Sequence, residues 1–493
     1  MGIIQQQTIK GTFYSYLGVL IGFLSLYFIQ PFALTKEQVG LLSILTSFSI
    51  LFAQVSILGF NATARIFPYF RNPKNHDNGY LGLAFIVAAA GFVLFCIAAY
   101  FLKDQIIQQK GPENNLLATY YWYLIPLTFF TLIFNILELY SRMLYDTIAG
   151  KILKEFTLRI IVLAAILLLF FKSVSFETFM WIWLICNIIP TGMIAFRLYK
   201  RGQLSFRPNF KFIDKPIKKQ IIHLCVFGIL TGTSPYIIEN IDKYMINEAF
   251  GLADTGVYTL AFAFAAIISL PARSLNPIAY TVIAEAWKND NMQGIKSIYK
   301  KSCITQLITT LFLFLLIWAN IHNIYSIHPE YASGSYVIFF IGLGYLIDSA
   351  TGVNGVILAT SKFYKYESFF CVVLIGVTIA ANLIFIPIYG ITGAAIAAAV
   401  TMFLFNLSRF LFILILFKMQ PFTYKTPLTI FTGIGVYFLT DLVSPIPNFI
   451  ADGMLRLILI TLLFGGTVYV LKLSEDINGL IDGVVKKYLS TNK

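Results

Sequence analysis

Fourteen apolar segments of bilayer-crossing length run through the chain, and Lys and Arg collect in every second gap between them. The segments are 12–30, 39–60, 80–102, 117–140, 158–172, 177–196, 220–245, 256–275, 303–320, 333–358, 367–388, 391–417, 427–446 and 451–471. With the N-terminus inside, the inner stretches hold 29 Lys and Arg, and the outer gaps hold only Lys36, Lys103, Lys110 and Lys172. The remaining three, Lys243, Arg409 and Arg456, lie within spans. These gaps are short enough for the positive-inside rule to act. A register error of one span would scramble the alternation, so the asymmetry supports both the count and the orientation. The chain is expected to be an all-α, multi-pass protein of the inner membrane with both termini in the cytoplasm.

Composition excludes the other classes. A chain with 58% hydrophobic and 12% charged residues falls far from a soluble globule, in which about a quarter of residues are charged. Segments of about 20 residues match a hydrocarbon core of roughly 30 Å, whereas barrel strands are half as long and alternate. The net charge of +13 sits in loops beside anionic headgroups and implies no nucleic-acid partner. Cys96, Cys186, Cys225, Cys303 and Cys371 all lie in or at the edge of apolar spans, so no disulfide framework is expected. The first apolar stretch is too long for a signal-peptide core, and Tyr27-Phe28-Ile29-Gln30 offers no small-residue cleavage site, so it is expected to stay as a helix.

The most basic gap divides the first twelve spans into six and six. The expected organisation is 1–198 (spans one to six), a basic cytoplasmic linker at 199–219, 220–418 (spans seven to twelve), a helical hairpin at 419–472 and an amphipathic cytoplasmic tail at 473–493. Six is even, so both halves enter the membrane from the same side, as in parallel-repeat transporters. A faint internal echo agrees. Gly40 opens the second span and Gly256 the eighth, and aligning them also superposes spans one and seven. Trp181, Trp183, Trp318 and Tyr120–Tyr123 fall at outer boundaries as interfacial aromatics.

No enzyme motif is present. The four histidines lack metal-ligand spacing, and no phosphate loop, nucleophile elbow or HExxH occurs. No cofactor is expected beyond H⁺ or Na⁺ as a coupling ion. Function therefore has to be sought among charges inside the membrane, each costing roughly 2.5–3.5 kcal/mol on insertion scales. Asp348 is the deepest acid, and two readings stand: a cation carrier, or a structural partner of Arg409 at similar depth. Beyond Pro235 in span seven, Asn240 sits beside Glu239, Asp242 and Lys243, and those three share a face at i, i+3 and i+4. They are either functional or an interfacial snorkelling pair. Arg65, Arg142 and Arg273 lie near inner helix ends, where they either bind an anionic headgroup or simply obey positive-inside. Glu138, one turn from Arg142, is its expected partner, and Asp441 and Arg456 are expected to tie the last hairpin. The substrate-binding candidates are therefore Arg65, Arg273, Arg142 and Lys243. The cation-coupling candidates are Asp348, Glu239, Asp242 and Asn240.

Three motifs carry a family resemblance. Asn240-Ile-Asp242-Lys243-Tyr-Met-Ile with Gly251 and Gly256-Val-Tyr258, the run Ile386-Pro387-Ile-Tyr-Gly390-Ile-Thr-Gly393-Ala394-Ala395-Ile396-Ala397, and Gly59-Phe-Asn-Ala-Thr-Ala-Arg65 resemble polysaccharide exporters of the MOP (MATE-like) superfamily, nearest the Wzx-type O-antigen flippases. The resemblance implies two six-helix lobes plus a C-terminal helix pair, working by alternating access. It implies a polyprenyl-pyrophosphate-linked oligosaccharide moved to the outer leaflet, as in lipopolysaccharide assembly, with glycosyltransferases and a polymerase as partners. By the same resemblance, Arg65 and Arg273 line the cavity. Span one has no basic residue after Lys10, unlike lipid II flippases, and no acid, unlike MATE-type drug or cation antiporters. A membrane-embedded glycan polymerase or ligase would require larger outer loops.

Overall fold

Each of the fourteen predicted segments falls mainly on helix in the computed structural model, which describes residues 3–107 and 114–491. No β-strand occurs among those residues. Lys110 and Lys493 lie outside them, and the side chains of Lys10, Val484, Val485, Lys486, Lys487 and Leu489 are likewise outside the description. The main helices are α1 (Ile3–Leu24), α2 (Lys36–Ser56), α3 (Tyr80–Phe101), α4 (Leu124–Met143), α5 (Leu158–Phe170), α6 (Phe176–Lys200), α7 (Lys215–Phe250), α8 (Leu252–Ile268), α9 (Leu270–Lys288), α10 (Met292–Trp318), α11 (Ser335–Ala350), α12 (Asn354–Thr360), α13 (Tyr364–Phe417), α14 (Lys425–Asp441), α15 (Phe449–Ile460) and α16 (Glu475–Thr491).

Among the described residues, ten helices are long and apolar enough to cross a membrane, or eleven if α8 and α9, bent by 51°, count as one span. The shortfall from fourteen has local causes. Within α13, which runs for 54 residues, Gly390 adopts φ 61° and ψ −138°, a kink between predicted spans eleven and twelve. A left-handed φ of this kind costs glycine nothing. Predicted span five is carried by the 13-residue α5, which follows a π-helical turn at Ile152–Thr157. Predicted span thirteen is the 17-residue α14.

The chain divides into two compact units, Met1–Thr259 and Leu260–Lys493. In the first, helix entry points are set by side-chain caps. Thr35 and Gln38 form a reciprocal capping box on α2, Ser175 caps α6, and Asp214 accepts the Ile217 amide at the start of α7. Close packing then depends on small residues, because in lipid no water-driven term pulls apolar helices together. A Cβ on Gly18 would overlap the Glu155 carbonyl, and Arg159 Nη1 donates to the Gly18 carbonyl at 2.7 Å, so α1 lies directly on the segment leading into α5. The linker is docked as well. At Gly79 and Gly82 the N-terminal end of α3 admits the backbone of residues 206–209, while Phe206 packs on Phe85 and Phe212 on Phe70. Trp183, expected at the interface, is instead buried among Leu45, Phe179 and Met180, because its boundary position says nothing of the face it occupies.

The second unit holds α9–α16. Tyr299, Ile283, Ile357 and Ile413 form one of its cores. Between α11 and α12 the helix breaks at Gly352, φ 61°. In the hairpin, Arg456 donates to Asp452 on its own helix at 2.7 Å and to the Thr440 and Val443 carbonyls of the neighbouring segment. The expected Asp441 tie is thus replaced by a carbonyl tie, and Asp441 lies exposed. The tail begins as predicted with a helix, and Glu475 pairs with Lys301 at 3.1 Å.

Candidate functional site

At the end of α2, Leu58 and Gly59 take positive φ and the chain turns into a short 3₁₀ helix, Phe60–Ile66, that carries Arg65. The turn is anchored from below by a buried 2.7 Å bond between the hydroxyls of Thr63 and Tyr80. It is anchored from the side by α7, since a Cβ on Gly59 would overlap the Cys225 carbonyl and one on Gly228 the Gly59 carbonyl. Between this turn and the first two turns of α7 lies an open cavity of about 1020 Å³. Arg65, Lys215, Lys218, Lys219 and His223 line it together with Ile66, Ile222, Leu224 and Val226, and no carboxylate is among its lining residues. Four basic side chains beside an aliphatic wall suit a ligand that joins an anionic group to an apolar chain. At an effective dielectric of 20, two unit charges about 4 Å apart attract by about 4 kcal/mol, and a guanidinium adds the paired geometry that phosphate oxygens accept.

A second constellation lies along one face of α2. Gly40 abuts the Leu252 carbonyl closely enough that a Cβ would overlap it, and Gly256 abuts the Lys36 carbonyl in the same way. Thr259 Oγ1 donates to Ser43 Oγ at 2.8 Å, and Lys243 Nζ reaches Ser47 Oγ at 3.4 Å. Asp242, 5% exposed, accepts from the Tyr258 hydroxyl at 3.0 Å. Asn240 turns inward and donates to the Tyr236 carbonyl at 2.9 Å, whereas Glu239 is exposed. The predicted face of α7 is therefore divided: Asp242 and Lys243 engage neighbouring helices and Glu239 does not share their buried setting. Interhelical side-chain bonds of this kind average about 0.6 kcal/mol in membranes, so such a seam holds without being permanent.

In the second unit, Asp348 does not meet Arg409. Its Oδ1 accepts from Asn406 Nδ2 at 3.0 Å, and Asn406 Oδ1 accepts in turn from Thr351 Oγ1 and Asn354 Nδ2, both at 3.0 Å. Arg409 lies three residues further along α13, stacked on Phe405 at 3.7 Å and closed into a two-pronged pair with Glu367. Of the two readings of Asp348, the pairing with Arg409 is thus overturned: equal depth along two helices does not give the same direction around them. Asp348 is left half-buried, held by the neutral Asn406 amide next to a helix break.

Arg142 pairs with Glu138 at 3.9 Å, as its spacing predicts, and is not among the residues lining the basic cavity. Arg273 is exposed on α9, between Pro271 and Pro277. Arg65 is the single predicted substrate residue among those lining the cavity. Sequence reasoning missed Lys215, Lys218, Lys219 and His223 as cavity residues and missed Asn406 and Glu367 as partners. An amide in the apolar run of predicted span twelve was the available signal for Asn406.

Neither a search of family models nor one of curated proteins finds a match. Solved structures do match. The chain is similar to "Lipid II flippase MurJ, inward closed conformation" at TM-score 0.72 and 14% identity, over 94% of this chain and 99% of that one. It is also similar to an inward-facing multidrug resistance MATE family transporter of the MOP superfamily, at TM-score 0.59 and 13% identity over 84% and 94%. A point mutant of the Vibrio cholerae MATE transporter VcmN matches at 0.54 and 13% over 82% and 95%. These likenesses establish a MurJ- and MATE-like fold.

Proposed function

We propose that the chain is a flippase that moves a polyprenyl-pyrophosphate-linked oligosaccharide from the cytoplasmic to the outer leaflet of the inner membrane by alternating access. The observation that carries this reading is the cavity at Arg65, whose wall is basic, free of carboxylates and partly aliphatic. A pyrophosphate with a polyprenyl tail has the same two-part chemistry. Cationic drugs do not, which weighs against the antiporter reading despite the shared fold. A lipid II flippase is the second reading, favoured by the near-complete overlap with MurJ. Arg273, Arg142 and Lys243 remain substrate candidates, with the glycosyltransferases and polymerase of the same glycan as partners.

Coupling is assigned to H⁺ or Na⁺ at Asp348. An acid held by one neutral amide beside unwound backbone can take up a cation without first breaking an ion pair. Glu239, Asp242 and Asn240 are secondary candidates.

The test is accumulation of the undecaprenyl-linked precursor on the cytoplasmic face. Arg65→Ala combined with Lys218→Ala should cut flipping about tenfold or more, since the lost guanidinium contact alone is worth about 1.5–3 kcal/mol, with membrane content unchanged. Flipping at the wild-type rate would overturn the cavity assignment. Accumulation of lipid II instead of a longer lipid-linked glycan would favour the second reading.

A further inference from the structure

Where the chain leaves α4 toward the segment that leads into α5, a pocket of about 500 Å³ opens that shares no lining residue with the cavity at Arg65. Its lining comes from between predicted spans four and five and from the inner ends of spans one and six, which sets it at headgroup level on the face expected to be cytoplasmic. Asp146 is the one acid, and Arg197 and Arg201 the two bases, among its described lining residues. The arginines are four residues apart at the end of α6 and so share a face. Asp146 is buried, and its Oδ2 accepts from Arg197 Nε and Nη2 and from Arg201 Nη1, all at 2.8 Å. The carboxylate is itself fixed. Tyr145 takes φ 64°, a conformation that residues other than glycine rarely adopt. Arg71 clamps that turn by donating to the Tyr145 hydroxyl at 2.6 Å and to the Met143 carbonyl at 2.9 Å, and the Asp146 amide donates to the Ser141 carbonyl at 3.0 Å. The side chains of Arg197 and Arg201 nevertheless stay about half exposed.

We propose that this pocket seats the phosphate headgroup of one anionic phospholipid from the adjoining leaflet. The proposal stands apart from the transport reading, because it concerns a resident lipid and not cargo. One carboxylate against two guanidiniums leaves one positive charge toward the pocket, and most of their N–H donors lie outside the bonds to Asp146. Arginines that only obey positive-inside need a charge and no fixed direction. Here a buried acid gathers two planar forks on a single oxygen, which aims paired donors of the kind that phosphate oxygens accept. Donors already held in place lose less freedom when a ligand arrives. An ion pair serving the fold alone would need one arginine, and the second supplies the excess charge. The remaining wall suits the glycerol and first methylenes of a lipid. It includes Tyr14, Ile148 and Ile152, and the Tyr14 ring packs edge-on against Phe156 at 5.4 Å. Phe196 and Tyr199, exposed on α6 on either side of Arg197, are placed as interfacial aromatics.

The experiment titrates the full-length protein in detergent with phosphatidylglycerol or with phosphatidylcholine and counts retained lipid by native mass spectrometry. Both lipids carry the phosphate, but only phosphatidylglycerol keeps a net negative charge. It should bind about tenfold more tightly, the scale of one charge-assisted contact. Arg201→Gln removes the excess charge and leaves Arg197 to pair with Asp146, so the preference should fall to about twofold or less. Lys288→Gln, which removes one exposed charge elsewhere, should keep it. The triple variant Asp146→Asn, Arg197→Gln, Arg201→Gln strands no charge and should lose the preference as well, which keeps the test open if Arg201→Gln misfolds. Equal retention of the two lipids by the wild type overturns the proposal, as does a full preference in either Arg201 variant. Binding of glycerol 3-phosphate as tight as that of phosphatidylglycerol also overturns it, since the pocket would then serve a soluble phosphate ester and not a lipid.

Discussion

The two units handle charge at their candidate sites in opposite ways. In the first, Arg65 and the lysines of the α7 entry face an open cavity with no carboxylate in its wall. In the second, Arg409 is 15% exposed and closed against a Glu367 that is 13% exposed, and Arg456 is likewise fastened to Asp452. At its site the first unit turns a group of cations toward a space that a ligand can enter. At its site the second pairs Arg409 with Glu367 and holds an acid, Asp348, by a neutral amide. The contrast separates anion binding from cation coupling, and it breaks at specific residues.

The largest effect is expected at Arg409. Removing one partner of a desolvated ion pair strands the other charge, at about 3–5 kcal/mol. Arg409→Leu should therefore lower the thermal stability and folded yield of detergent-purified protein sharply, and adding Glu367→Leu should recover most of the loss. No recovery in the double variant would show that Arg409 stabilises by its stacking on Phe405 and not through Glu367.

Asp348→Asn sharpens the comparison from the other side. The amide keeps an oxygen for Asn406 and loses only the charge, so stability should shift by less than about 1 kcal/mol, within the range of ordinary substitutions. Transport in vesicles should nevertheless fall to background and become insensitive to an imposed H⁺ or Na⁺ gradient. A stable Asp348→Asn variant that still responds to the gradient would move coupling to Glu239, Asp242 or Asn240.

Much of this was legible in the sequence, and the limits follow from geometry. Periodicity and the alternation of basic gaps located the helices, and Gly40 and Gly256 are both points of close backbone approach. The break between spans eleven and twelve fell at Gly390. What depth along a helix cannot supply is azimuth. Asn406 and Arg409 differ by less than one turn, yet one reaches Asp348 and the other Glu367. The lysines at 215, 218 and 219 were legible as membrane-flanking charge. Only the fold, by laying α7 against the Gly59 turn, converts them into a wall facing Arg65. Glu138 and Arg142 were legible because an i, i+4 pair needs no tertiary information.

The smallest effect distinguishes the cavity's members from one another. Lys218 and Lys219 are exposed at its rim, where water screens them, and a single exposed charge contributes about 0.2–1 kcal/mol. Lys218→Ala or Lys219→Ala alone should thus slow flipping only about 1.4- to fivefold, by the same energy range converted through RT. The deficit should shrink as ionic strength rises, because screening removes from the wild type what the variant already lacks. Arg65→Lys tests a different quantity. It keeps the charge but loses the planar fork, so its deficit should persist at high salt. If all three substitutions lose activity in parallel and with the same salt dependence, the cavity acts as a diffuse basic surface, and Arg65 has no privileged contact with a phosphate. If Arg65→Lys alone resists salt, the guanidinium makes a directed contact while the lysines only raise the local concentration of substrate.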